Sequence, residues 1–178
     1  MANTTFQGPV TSKAGFITTG PANVVDADSS ISLTVASHSG KIVHNDAAGA
    51  VTYTLPATNA NSDSAVAGPG ADLNNLSNVG AKFEIFSSIT KTGDLVVQVA
   101  NATDVIIGSA SFIDDSSDNM VGFETAATSD TITLNGTDTG GVTFAKIECT
   151  VIALGKWKVD VISGCTGTPA TPFSAAVS

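Results

Sequence analysis

The stretch 141–163, GVTFAKIECTVIALGKWKVDVIS, decides the fold class. Apolar and polar residues alternate through it. Ala145, Ile147, Cys149 and Val151 share one face, and Trp157, Val159 and Val161 share another. Successive side chains of an extended backbone point to opposite sides, so a period of two marks a half-buried strand. Leu154-Gly155-Lys156 lies between the two runs and reads as a tight turn. The stretch is therefore expected to form a β-hairpin.

The same alternation recurs outward from this hairpin. ISLTV at 31–35, KIVH at 41–44 and VTYTL at 51–55 each read as strands, and Pro56 ends the third. KFEIFSSI at 82–89 follows, then KTGDLVVQV at 91–99, whose TG turn precedes Leu95, Val97 and Val99. DVIIGSASFI at 104–113 comes next, and the polar turn DDSSDN at 114–119 separates it from MVGFETAA and DTITLNG. About nine to eleven short strands parted by turns predict an all-β single domain, either a β-sandwich or a jelly-roll-like barrel. Composition agrees: Thr, Ser, Val, Ala, Gly, Asn and Asp dominate, and strong helix formers are scarce. No fixed-period repeat is visible.

Three segments depart from the strand pattern. Residues 1–21 contain GPVTSKAGFITTGP, too broken by glycine and proline for a helix, and are expected to be an extended N-terminal arm. Residues 57–80 are rich in small and polar residues and read as a long loop, either a partner-binding loop or a mobile surface loop. Residues 167–178 hold two prolines and no charged side chain and are expected to be an extended C-terminal tail. Residues 22–166 are then the sandwich domain.

Charge limits the partners. Seven basic residues against sixteen acidic ones give a net charge of −9, and no arginine is present. Phosphate backbones and anionic lipid surfaces need the opposite sign, so neither nucleic acid nor a membrane is an expected partner. No apolar run approaches the roughly 20 residues of a membrane helix. The opening MANTTFQGPV lacks a basic and an apolar signal region, so no signal peptide is expected.

Chemistry-bearing residues are few. Cys149 and Cys165 fit no metal spacing. A bridge between them needs Cα atoms within about 7 Å, which spacing leaves open. His38 and His44 each have a serine nearby, and Asp46 lies near His44, but no GxSxG elbow accompanies them. Asp26 and Asp28, and Asp114, Asp115 and Asp118, are acids close enough in sequence to suggest a Ca²⁺ loop, yet neither group has the EF-hand order. Glycine-rich phosphate loops are absent. The residues themselves point to no enzyme, no cofactor and no metal site. Phe6, Phe16 and Phe173 are isolated aromatics in the terminal segments, each either a plug in the domain's own surface or an anchor into a partner.

TTFQGPVTSKAGFITTGP at 4–21 has an F-x-GPV-x-S-x-x-GF opening. With AGPGADLNNLSNVGAKFEIF at 67–86, LNGTDTGGVTFAKIE at 134–148 and GTPATPF at 167–173, in that order, it resembles small structural proteins of tailed bacteriophages, marine and cyanobacterial ones in particular. The resemblance implies a capsid decoration (cement) protein on the outer surface of the virion head. It implies an all-β domain, commonly a homotrimer, that binds the major capsid protein. The arm would supply the capsid contacts, with Phe6, Val10, Phe16 and Ile17 as apolar anchors and Lys13 as the charged contact. The alternative is a head-fibre, knob or tail-fibre module that binds a host receptor or glycan. A small β-fold hydrolase is the third class.

Overall fold

The computed structural model describes residues 23–59, 77–117 and 119–177. The arm residues Phe6, Val10, Lys13, Phe16 and Ile17 and most of the 57–80 loop lie outside them, as does Asp118. Among the described residues, twelve strands form two sheets that face each other across one core.

The strands are β1 (Val24–Asp26), β2 (Ile31–Ser32), β3 (Ile42–Asn45), β4 (Val51–Thr54), β5 (Lys82–Ser87), β6 (Leu95–Gln98), β7 (Val105–Asp114), β8 (Met120–Glu124), β9 (Thr131–Leu134), β10 (Ala145–Ala153), β11 (Lys156–Cys165) and β12 (Phe173–Ser174). The larger sheet has the order β1-β3-β5-β10-β11-β7-β8, and the smaller β12-β9-β6-β4-β2. The first seven strands thus alternate between the sheets. From β3 to β6 each strand returns alongside the strand two before it, so that β1, β3 and β5 run parallel in one sheet while β2, β4 and β6 run parallel in the other. The chain winds as a flattened coil around its own core.

The hairpin β10–β11 then enters between β5 and β7, antiparallel to β5 and parallel to β7. It becomes the centre of the larger sheet. Cys149 pairs with Val159 and Ile147 with Val161, so the two apolar sets expected on separate faces lie together on one inner face. Ala145, Ile147, Cys149, Val151, Trp157, Val159 and Val161 are all buried there, opposite Tyr53, Leu95, Val97, Ile132 and Leu134 of the smaller sheet. At about 25 cal/mol per Å² of apolar surface removed from water, such side chains supply the main drive for folding.

The all-β, single-domain sandwich is therefore the architecture, and the jelly-roll alternative is not. A jelly roll is built of antiparallel Greek keys, whereas five strand pairings here are parallel. The expected strand over 31–35 is also shorter. Thr34 Oγ1 accepts from Ser37 N and caps one helical turn, α1 (Val35–His38), so the strand stops at Ser32 and the helical turn begins at Val35. Cys149 and Cys165 are both free and buried. Burial pushes the Cys149 thiol up to about 12. Phe173 fills the core from the edge strand β12, which makes it a plug in the domain's own surface.

Candidate functional site

Two features of the larger sheet's outer side carry chemistry. The first grows from parallel register. Asp26 of β1 stands directly beside His44 of β3, and His44 stands beside Phe86 of β5. Just past β5, Ser88 N donates to Asn45 O at 3.0 Å, which holds the chain turning over His44. The side chains then meet in a row: His44 Nδ1 lies 2.9 Å from Asp26 Oδ1, and His44 Nε2 lies 2.8 Å from Ser88 Oγ. Asp26 and Ser88 are exposed and His44 is partly so.

Beneath this row is a buried polar network. Asn45 Nδ2 donates to Ala27 O at 3.2 Å and to the Tyr53 hydroxyl oxygen at 3.0 Å, and Tyr53 in turn donates to Ala27 O. Burial pushes the Tyr53 phenol up to about 12. Lys91 Nζ donates to Asn45 Oδ1 at 3.0 Å and to Ala47 O. Beside the row, Asp46 N donates to Asp28 Oδ1 at 3.0 Å. Hydrogen bonds from the Asp46 backbone and side chain hold Asp28 below the ordinary carboxylate range, and the bond to Asp28 and its charge hold Asp46 above it. Of the two coupled carboxyls, Asp46 is the later to lose its proton as pH rises.

The second feature is apolar. Ile42, Ile107, Ile113, Met120, Phe144 and Ile162 are exposed along the larger sheet and its ends. Three lysines among them are paired: Lys82 Nζ lies 2.9 Å from Glu148 Oε2, Lys146 Nζ lies 3.8 Å from the same oxygen, and Lys158 bonds to Asp160.

The other sequence candidates are accounted for locally. His38 Nδ1 accepts from Thr34 N at 3.0 Å at the end of α1, far from the row in its role. Asp114 accepts from Ser116 N, Ser116 Oγ and Ser117 Oγ at 2.7–2.9 Å, and the two serine hydroxyls and that N–H hold it below the ordinary range. No group of three or more His, Cys, Asp or Glu side chains is placed to hold a metal among the described residues. Sequence proximity suggested Asp46 as the acid near His44; the structure supplies Asp26. Ser88 carried no local signal, because its histidine is 44 residues away.

Neither a protein-family model, nor a curated protein, nor a solved structure matches this chain.

Proposed function

We propose that this protein is a viral structural component, a capsid decoration protein that binds the outside of a tailed-phage head and bridges capsid subunits. The observation that carries the reading is the outer side of the larger sheet. Lys82, Lys146 and Lys158 there are paired with Glu148 and Asp160, and Ile107, Ile113, Ile162 and Phe144 stand exposed on the same side, outside the core shared by the two sheets. Ile113 and Phe144 line one hollow together with Val142, and exposed apolar surface on one face is where interaction sites form. The resemblance of 4–21 to phage head proteins supplies the partner class, the major capsid protein, and a homotrimeric form.

The mechanism is bridging. A standard protein interface buries about 1,600 Å². Three linked copies gain avidity of roughly 10² to 10⁴, so no single contact has to be strong. The arm 1–21 adds backbone pairing at a capsid sheet edge, with Phe6, Val10, Phe16 and Ile17 as anchors and Lys13 as the charged contact.

Binding of purified protein to undecorated heads tests this, with copies per particle counted by electron microscopy. Hundreds of copies over the shell and greater heat resistance are the expected result. A dozen or fewer, confined to vertices or tail, would replace this reading with the fibre or knob module. Deleting residues 2–17 should leave a folded domain that no longer joins the head, and retained binding would remove the arm from the mechanism.

A further inference from the structure

We propose that Ser88 is a nucleophile activated by His44 and oriented by Asp26, competent to take an acyl group from an activated ester. The polarity of the row carries the inference. Asp26 Oδ1 at 2.9 Å accepts from His44 Nδ1, which fixes the ring proton on that nitrogen. In the neutral imidazole the lone pair is then on Nε2, and it faces Ser88 Oγ at 2.8 Å. This is the order of acid, base and nucleophile that acyl transfer through serine requires.

The row is preorganised by backbone. Asp26 and His44 are register partners in parallel strands, and Ser88 N is tied to Asn45 O. Asn45 is itself fully buried and held by Ala27 O, Tyr53 and Lys91, so the strand end that presents His44 is fixed from below. Ser88 is exposed, which lets an acyl donor approach Oγ. His44 is the general base and Asp26 is a positioning residue.

In the reaction Ser88 Oγ forms a bond to the acyl carbon as its proton passes to His44 Nε2. The bond from that carbon to the leaving oxygen then breaks, and His44 returns the proton to the departing alcohol. The products are an acyl-serine and an alcohol. Water, deprotonated by His44, later releases the carboxylic acid and restores Ser88. On an open sheet face solvent stabilises much of the oxyanion, so the substrates are esters with a good leaving group, such as aryl esters, in place of amides.

A fluorophosphonate probe on the full chain tests the nucleophile directly. Oγ displaces fluoride from phosphorus, and the Oγ proton passes to His44 and on to solvent. The expected result is one adduct per chain, mapped by mass spectrometry to the peptide holding Ser88, and none at that peptide in Ser88→Ala. His44→Gln should label about 100-fold more slowly, the scale of a lost general base, and Asp26→Asn should also slow it. A row that only ties strands together would change melting temperatures and produce no adduct. Absence of labelling in folded wild type, or equal labelling rates in wild type and His44→Gln, would overturn the proposal. Ser88→Ala removes one exposed hydroxyl, so its fold, checked by circular dichroism, is expected to survive.

Discussion

Lys91 carries its ammonium into the interior of the sandwich and donates from Nζ to Asn45 Oδ1 at 3.0 Å. The same group also donates to Ala47 O, so one cation satisfies two acceptors on the chain leaving β3. Only 3% of Lys91 is exposed. A buried charge survives in this setting because its protons are matched to oxygens, and a buried acceptor left alone costs about 1–3 kcal/mol.

Lys91→Met should therefore destabilise the fold by about 1–3 kcal/mol, as the two orphaned acceptors outweigh the relief of removing a buried charge. Its pH dependence has a defined sign. Burial holds the Lys91 ammonium below the ordinary lysine value of 10.5, with the charge of Asp28 working in the opposite direction. The unfolded chain then binds the proton more tightly than the folded one, so stability rises with pH from the lowered value towards 10.5. Urea denaturation should show this slope in wild type and lose it in Lys91→Met. The slope is read as the difference between the two proteins, since Tyr53, pushed up to about 12, lowers stability as pH passes 10. Parallel pH profiles would show that Lys91 is not the group responsible.

Gly136 packs against the backbone of the same lysine. Its φ is +83°, and a Cβ there would sit 1.9 Å from Lys91 O and 2.8 Å from Lys91 C. Neither atom is a flexible side-chain end, so the loop after β9 has to move. Gly136→Ala should cost about 3 kcal/mol or more. Gly40 is the control, because its φ is +73° but nothing lies within 4 Å of its Cβ position. Gly40→Ala should cost only about 1 kcal/mol, the conformational part alone. Equal losses in thermal melts would mean that the close approach to Lys91 contributes nothing.

The hairpin at 145–165 was legible because each strand's alternation names its inward residues, and Ile147, Cys149, Trp157 and Val159 are all in the core. Alternation gives the face a residue points to and says nothing of the strand beside it. The parallel pairing of Val24 with Ile42, and of Ile42 with Glu84, is for that reason invisible in the sequence. β1 itself, three residues long and only half-covered, reads as part of an acidic loop. The Asp26–His44–Ser88 row depends on these registers, so its members could be listed as residue types and could not be brought together. ISLTV misled for a local reason: Val35 is exposed and starts a helical turn capped by Thr34, although the alternation runs straight through it.

Asp130 fastens the C-terminal segment to the smaller sheet. Its Oδ1 accepts from Thr131 Oγ1 at 2.7 Å, Ala176 N at 2.8 Å and Val177 N at 3.2 Å. Burial pushes this carboxyl up, but those three donors outweigh it and hold it below the ordinary value of 3.8. Its contribution is thus complete above that value and is lost as pH falls through the lower folded one. Asp130→Ala should free two backbone N–H groups and loosen β12 and its plug Phe173. Amide exchange at Ala176 and Val177 should quicken at least about tenfold, which corresponds to roughly 1.4 kcal/mol of local stability. Unchanged exchange would place the anchor in the β12–β9 pairing and the burial of Phe173.

Trp157 is the sole tryptophan and has no exposed surface, with its ring 5.7 Å from that of Phe83 at 59°. Its Nε1–H is buried without a hydrogen-bond partner among the described residues. Two opposed terms therefore act at this site: a large apolar contact that stabilises, and an orphaned donor that costs about 1–3 kcal/mol. Trp157→Phe removes the donor and keeps most of the ring, so the void it leaves is partly offset, and the net loss should stay under about 1.5 kcal/mol. Trp157→Ala empties the centre of the sandwich and should cost about 3–5 kcal/mol. Guanidinium denaturation followed by circular dichroism separates the two cases, since neither variant retains the indole as a fluorescent reporter. If the phenylalanine variant fell as far as the alanine one, the indole N–H would have to be making a stabilising bond, and the packing account of this position would fail.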